Sequence, residues 1–252
     1  MSRINYIEGF RTIQVLPEWK EDVAAAVATV LENRVEYEAI ERSTGIAWPY
    51  VASIHYRESG CNFDKQILNG EPWTRKTKYV PKGHGPWESW RDAAIHVLRL
   101  HHVASDSASR LHDVENMLAK LEAWNGWGYA KRDLNSPYLW SGSQYGEGVG
   151  KFTSDGNYSE TAKDKQVGAA VLVHELMSRG EWLPSVELYN LPILSDKKGL
   201  HISDRARRFQ EALNLVLAGS LIQPLVVDGW IGAKTRAAFH EMTDLELHEV
   251  DL

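Results

Sequence analysis

Between Asn125 and Asn157 the chain carries glycine at positions 126, 128, 142, 146, 148, 150 and 156, set among many aromatic residues, and shows no helical apolar spacing. That stretch cannot be regular helix, and long ordered loops in compact domains are often functional. Whatever folds here must pack helices around an irregular aromatic segment. Helical spacing is plain on both sides of it.

The first strong helix is expected from about Glu18 to Ile40. Pro17 supplies a start signal, and Val23, Val27, Val30 and Leu31 form an apolar stripe. A second starts at Trp48-Pro49 and ends near Glu58-Ser59, because Gly60 suits the left-handed residue that closes a helix. Asn69-Gly70 is a turn signal. The run Thr74-Arg75-Lys76-Thr77-Lys78-Tyr79-Val80, stopped by Pro81, predicts a short β-hairpin. Further helices are expected over Ser89–His101, Ser107–Trp124 and, with Ser159 as its cap, on to Ser178.

Composition narrows the function classes. The 252 residues suit one medium domain plus a small one. No apolar run approaches the roughly 20 residues of a membrane span, and the polar N-terminus is not a signal peptide, so synthesis in the cytoplasm is expected. The net charge of −6 argues against nucleic acid as a partner. Cys61 is the one cysteine, which excludes an internal disulfide; it is either a buried, inert thiol or a reactive one. The 10 tryptophans cluster in mid-chain at Trp73, Trp87, Trp90, Trp124, Trp127 and Trp140, where they serve a core or stack on sugar rings. No metal site is expected: His101 and His102 point to different helix faces, and Asp155, Asn157 and Ser159 lack the rest of a calcium loop and suit a capped helix start. No cofactor is implied.

Ile54-His55-Tyr56-Arg57-Glu58-Ser59-Gly60 places a carboxylate at the end of an apolar helix, just before a glycine turn. Partial burial among aromatic residues would raise its pKa. A glycosidic general acid needs that, since it must hold its proton near neutral pH and donate it to the leaving oxygen. The bland alternative is a surface glutamate near a helix end.

With this string go Leu68-Asn69-Gly70-Glu71-Pro72-Trp73-Thr74, Trp124-Asn125-Gly126-Trp127-Gly128-Tyr129 and Asn135-Ser136-Pro137-Tyr138-Leu139-Trp140. Over roughly residues 15 to 180 the chain resembles the lysozyme superfamily, especially phage endolysins and the goose-type lysozyme and lytic transglycosylase branch. The resemblance implies that Glu58 is the catalytic acid. It implies that Trp124-Asn125-Gly126 stands for a Tyr-Asn-Gly signature lining the cleft, with Tyr56, Tyr129, Tyr138 and Trp140 as further substrate contacts. Phage lysozymes often pair the glutamate with a hairpin acid followed six residues later by threonine. Glu71 and Thr77 have that spacing, although Glu71 lies thirteen residues after Glu58 and replaces an aspartate. Asp64 is the other nearby acid, and the transglycosylase branch has no second acid.

Pro184 to Leu200 is expected to be a linker. Beyond it, Ser203 caps a helix carrying Ala206, Phe209, Leu213 and Leu217, and Thr235 to Met242 forms a last one. Phe209-Gln210-Glu211-Ala212-Leu213-Asn214 with Val227-Asp228-Gly229-Trp230-Ile231-Gly232-Ala233-Lys234-Thr235 resembles the three-helix peptidoglycan-binding domain of wall hydrolases. In that pattern Asp228, Gly229, Gly232 and Thr235 hold structural turns beside the binding groove. The expected protein is mainly α: a lysozyme-like domain with a small β-hairpin (1–183), a linker (184–200) and a wall-binding domain with an acidic tail (201–252). Its expected function is that of a monomeric muramidase, an endolysin cutting the β-1,4 bond between N-acetylmuramic acid and N-acetylglucosamine. A lytic transglycosylase giving 1,6-anhydro products, a virion-associated enzyme and a non-catalytic wall-binding or tail protein are the alternatives, with a chitinase further behind.

Overall fold

The computed structural model describes residues 3–79, 81–101, 109–154, 156–182, 184, 204–217, 223–229 and 232–243. They are mainly α. Helix α1 (Tyr6–Arg11) is capped by the Asn5 side chain, which accepts from the backbone of Ile7 and Glu8. A 3-10 turn at Pro17–Trp19 leads into α2 (Lys20–Glu32) and α3 (Arg34–Thr44). The single helix expected over 18–40 is therefore two. The break falls at Asn33, whose own amide donates to the Thr29 carbonyl at 2.9 Å and so competes with the helical bond it would continue.

Helix α4 (Trp48–Ser59) lies at the centre of this packing. Every residue from Trp48 to His55 is buried, and α4 packs against α2, α3 and α6. His55 Nε2 donates to the Asn62 carbonyl (3.1 Å) and its Nδ1 pairs with Tyr37 Oη (3.0 Å), among Phe63 and Trp90. Burial lowers its pKa to about 4, so it is a neutral core histidine.

Then come α5 (Trp90–Leu100), capped by Ser89, α6 (Val114–Asn125), capped by Asp113, α7 (Pro137–Trp140) and α8 (Ala169–Ser178). Strands β1 (Lys151–Ser154) and β2 (Asn157–Ser159) pair antiparallel, Lys151 with Ser159 and Phe152 with Tyr158. The small hairpin thus lies at 151–159 and not at 74–80. The described residues of 74–79 form no strand, because their backbone N–H groups are drawn elsewhere. Lys78 and Tyr79 donate to the Glu71 carboxylate, and Thr77 donates to the His84 carbonyl. Ser159 is a strand residue, and the helix expected from it starts only at Ala169.

Contacts divide the chain into two units, 1–176 and 177–252, with the boundary inside α8. The second contains α9 (Asp204–Leu217) and α10 (Ala233–Thr243), so its described residues hold two helices rather than three. Phe209, Leu213, Leu217, Ala238 and Phe239 make its core. The buried Gln210 side chain ties the turn together: it donates to Asp228 (2.7 Å) and Thr235 (3.3 Å) and accepts from the Gly229 N–H (2.8 Å). The expected linker beyond Pro184, Ser203, Trp230 and the acidic tail lie outside the described residues. No described helix is long and apolar enough to cross a membrane.

Candidate active site

Helix α4 ends as its sequence dictates. Gly60 adopts φ +62°, where a side chain would be strained, and the N–H groups of Gly60 and Cys61 close the last turn on the carbonyls of Tyr56 and His55. Cys61 itself is left-handed at φ +59°, held so by the packing of its buried side chain. Two left-handed residues in succession turn the backbone sharply away and leave Glu58, one residue short of the helix end, on the wall of a cleft of about 540 Å³.

The opposite walls come from far along the chain. Asn125, Gly126, Trp127, Gly128 and Tyr129 follow α6, Tyr138 lies in α7, and Lys151, Phe152, Ser154 and Gly156 belong to the hairpin. Gly128 lets the wall close on the hairpin: a Cβ there would stand 3.1 Å from the Phe152 ring, tighter than an ordinary contact. Trp127 remains 47% exposed, a flat apolar ring presented at the cleft. Tyr129 is buried and takes a hydrogen bond from the Phe152 N–H at 3.1 Å, which fastens hairpin to cleft wall.

Burial pushes the Glu58 carboxyl up to about 6, and hydrogen bonds from Tyr138 and Trp124 and the charge of Arg57 offset part of that rise. The Tyr138 hydroxyl donates to Glu58 Oε1 at 3.2 Å. Trp124 stacks on His101 with centroids 4.0 Å apart, which steadies the indole that serves Glu58. Glu58 thus keeps its proton into the weakly acidic range while the Tyr138 hydroxyl fixes its direction.

Arg57 and Asp164 brace this arrangement. Arg57 Nη2 donates to Asp164 Oδ2 at 2.7 Å, with both side chains about 5% exposed or less. Its Nη1 reaches the carbonyls of Gln166 (3.1 Å) and Val167 (3.2 Å), and its guanidinium lies 4.7 Å from the Tyr138 ring centroid. The Gln166 amide donates in turn to the carbonyls of Tyr56 and Arg57, satisfying the last turn of α4. Burial works to raise the Asp164 pKa, but Arg57, the Gln166 N–H and Lys151 outweigh it and hold Asp164 below the usual carboxylate value.

Of the residues singled out in the sequence, Glu58, Asn125, Tyr129 and Tyr138 line the cleft, and Trp124 works to lower the Glu58 pKa. Tyr56 is a strut that accepts from the Val167 N–H at 3.4 Å. Trp140 is 2% exposed and packs on Gly9, so it is core and not a sugar contact. Glu71 and Thr77 do not line the cleft. Burial tends to raise the Glu71 pKa, but the N–H groups of Lys78 and Tyr79, the Asn69 amide and Arg75 together lower it. Its oxygens are occupied by Lys78 (3.0 and 3.1 Å), Tyr79 (3.1 Å) and Asn69 (3.2 Å). Thr77 donates to the Pro81 carbonyl and accepts from the His84 N–H. Both hold a loop.

Arg57, Lys151, Phe152 and Asp164 were not foreseen as cleft residues, and Trp127 was foreseen only as one of six tryptophans that serve a core or stack on sugar rings. Arg57 stands inside a quoted string and could have been named. Nothing local in the sequence joins Lys151 or Asp164 to a helix about 100 residues earlier. Among the described residues no three histidine, cysteine, aspartate or glutamate side chains gather as a metal site. Set against protein-family models, curated proteins and solved structures, the chain matches none of them.

Proposed function

We propose that the cleft cleaves peptidoglycan, with Glu58 as the general acid that protonates the glycosidic oxygen between N-acetylmuramic acid and N-acetylglucosamine. The observation that carries this reading is the carboxyl itself. It is desolvated, has its pKa raised to about 6 and takes a hydrogen bond from Tyr138 on the wall of a cleft with an exposed tryptophan. A glycosidase acid needs that protonation state, and Trp127 offers a sugar ring a stacking surface. The lysozyme-superfamily strings around Glu58 and Trp124-Asn125-Gly126 point the same way. The unit containing α9 and α10, with its Asp228-Gly229 turn and Gly232 and Thr235, resembles a wall-binding module and would hold the enzyme on its polymer. As an endolysin or virion-associated muramidase, such a protein would lyse bacteria.

A second reading has one observation in its favour. Asp164, the other carboxylate among the described cleft residues, is held by Arg57 and Lys151, and Glu71 is occupied in its loop. Among the described residues, Glu58 then stands without an unpaired carboxylate beside it. It suits a lytic transglycosylase, in which Glu58 first gives its proton and then takes one from the attacking muramic 6-hydroxyl. Mass spectrometry of fragments released from purified sacculi separates the readings. Reducing muramic ends are the expected product of the muramidase, and 1,6-anhydro ends would assign transglycosylation. No release by the wild-type protein would leave a non-catalytic wall-binding protein.

A further inference from the structure

The cleft carries a charge that Glu58 chemistry does not use. Arg57 and Lys151 bring two cations to its wall, and Asp164 brings one anion. Glu58 adds none while protonated. Among the described residues of the cleft the surplus is one positive charge, in a chain whose net charge is −6.

The two cations differ in what they have left to give. Arg57 is committed to Asp164 and to two carbonyls, with a side chain 5% exposed. Lys151 opens strand β1, its side chain is 40% exposed, and its Nζ stands 3.4 Å from Asp164 Oδ2. That oxygen already receives Arg57 at 2.7 Å, and Oδ1 receives the Gln166 N–H at 3.0 Å. An ammonium has three donors. One long contact to a carboxylate already satisfied by others leaves Lys151 able to turn to a ligand, and the hairpin backbone fixes where it stands. Neutral sugar hydroxyls do not need such a group. A carboxylate does, since a charge-assisted hydrogen bond in a partly desolvated cleft outweighs a neutral one.

Resting on the proposed glycan cleavage, we infer that Lys151 is a specificity residue that selects glycans bearing a carboxylate beside the bond to be cut. Two carboxylates in the wall polymer answer to that chemistry: the lactyl group of a peptide-free muramic acid, and an acidic residue of the stem peptide. N-acetylglucosamine polymers have neither, so the same residue would discriminate against chitin.

Binding is measured by calorimetry in Glu58→Gln, so that ligands survive, with and without Lys151→Gln. The ligands are an N-acetylglucosamine tetramer, a peptide-free tetrasaccharide of alternating glucosamine and muramic acid, and the same tetrasaccharide carrying stem peptides. The expected result is about tenfold tighter binding of a carboxylate-bearing ligand than of the neutral one. That ratio should fall towards one in Lys151→Gln, persist in Lys151→Arg and shrink with added salt. Preference for the peptide-free tetrasaccharide assigns the lactyl group, and preference for only the peptide-bearing one assigns the stem. Equal affinity for neutral and acidic ligands, or a preference that survives Lys151→Gln, overturns the inference and leaves glycan cleavage standing. Failure of all three ligands to bind overturns both.

Discussion

Glu58 is costly to ionise where it stands, and that cost has two measurable consequences. The first is catalytic. Only the protonated carboxyl can act as general acid, and its pKa lies near 6 instead of its ordinary 4.5. Activity should fall as pH rises through about 6, along a limb that Glu58→Gln lacks. Glu58→Gln keeps size and most hydrogen bonds but has no proton to give, so turnover should drop by ~100-fold or more. Near-wild-type lysis of sacculi by the variant would remove Glu58 from the chemistry. The second consequence is stability. A raised pKa in the fold means that the native state binds the proton more tightly than the unfolded chain does. Stability from this group is then complete below pH 4.5 and lost as pH rises through about 6. Above that pH, Glu58→Gln should be the more stable protein, by about 2 kcal/mol at most. Urea midpoints at pH 4.5 and pH 7.5 test the sign, and a variant equally stable or weaker at both values contradicts it. A gain in stability bought with loss of activity is what a desolvated functional carboxyl should show.

Helix α4 and the segment 164–167 are joined mainly by Arg57, and its pairing with Asp164 could not be read from the sequence. Replacing Arg57 by Met would strand Asp164, 4% exposed in its side chain, with Lys151 as its remaining cation. An uncompensated buried charge costs about 3–5 kcal/mol, so the urea midpoint should fall sharply, and Arg57→Met combined with Asp164→Leu should recover part of the loss. The loop at 71–84 makes a contrasting case. Glu71 organises it through N–H groups of Lys78 and Tyr79, outside the cleft lining. Glu71→Gln is therefore expected to make 75–82 more sensitive to trypsin while lowering turnover far less than Glu58→Gln; equal losses of turnover would return Glu71 to the mechanism. The local signals were legible where an element depends on its own residues. Pro49 and Gly60 bound α4, Ser89 caps α5, and the apolar spacing of both helices is plain. They misled where a side chain took the backbone's partners, as Glu71 does for the N–H groups at 78–79 and Asn33 does for the Thr29 carbonyl between α2 and α3. The Glu58 end of the site was legible for the same reason: its helix and its turn are contiguous. The hairpin wall was not, because strand pairing of 151–154 with 157–159 gave no alternating pattern long enough to stand out from a glycine-rich loop.

At the scale of the whole molecule the two units are very unequal. The first has the extended core around α4, whereas the described residues of α9 and α10 gather five buried side chains beside the Gln210 knot. So short a unit is marginal alone, while the first unit should not need it. The place of the cut matters, because α8 runs to Ser178 across the division at 176–177 and Trp182 is 6% exposed. A chain ended after residue 184 keeps that helix and that ring. It should stay folded, with the thermal transition of the larger unit preserved, and should cut short soluble muropeptide glycans at the full-length rate, since every described residue of the cleft precedes residue 165. On intact sacculi the outcome should differ. There the second unit would raise the local concentration of the catalytic cleft at the polymer, an effect that needs no new contact at the bond being cut. Retention in a sacculus pull-down should therefore drop about tenfold or more, and lysis should slow in proportion. An insoluble truncated chain would show that 185–252 completes the first unit's core. Full retention on sacculi would show that wall affinity resides in the cleft unit, and the small unit would then need a different explanation.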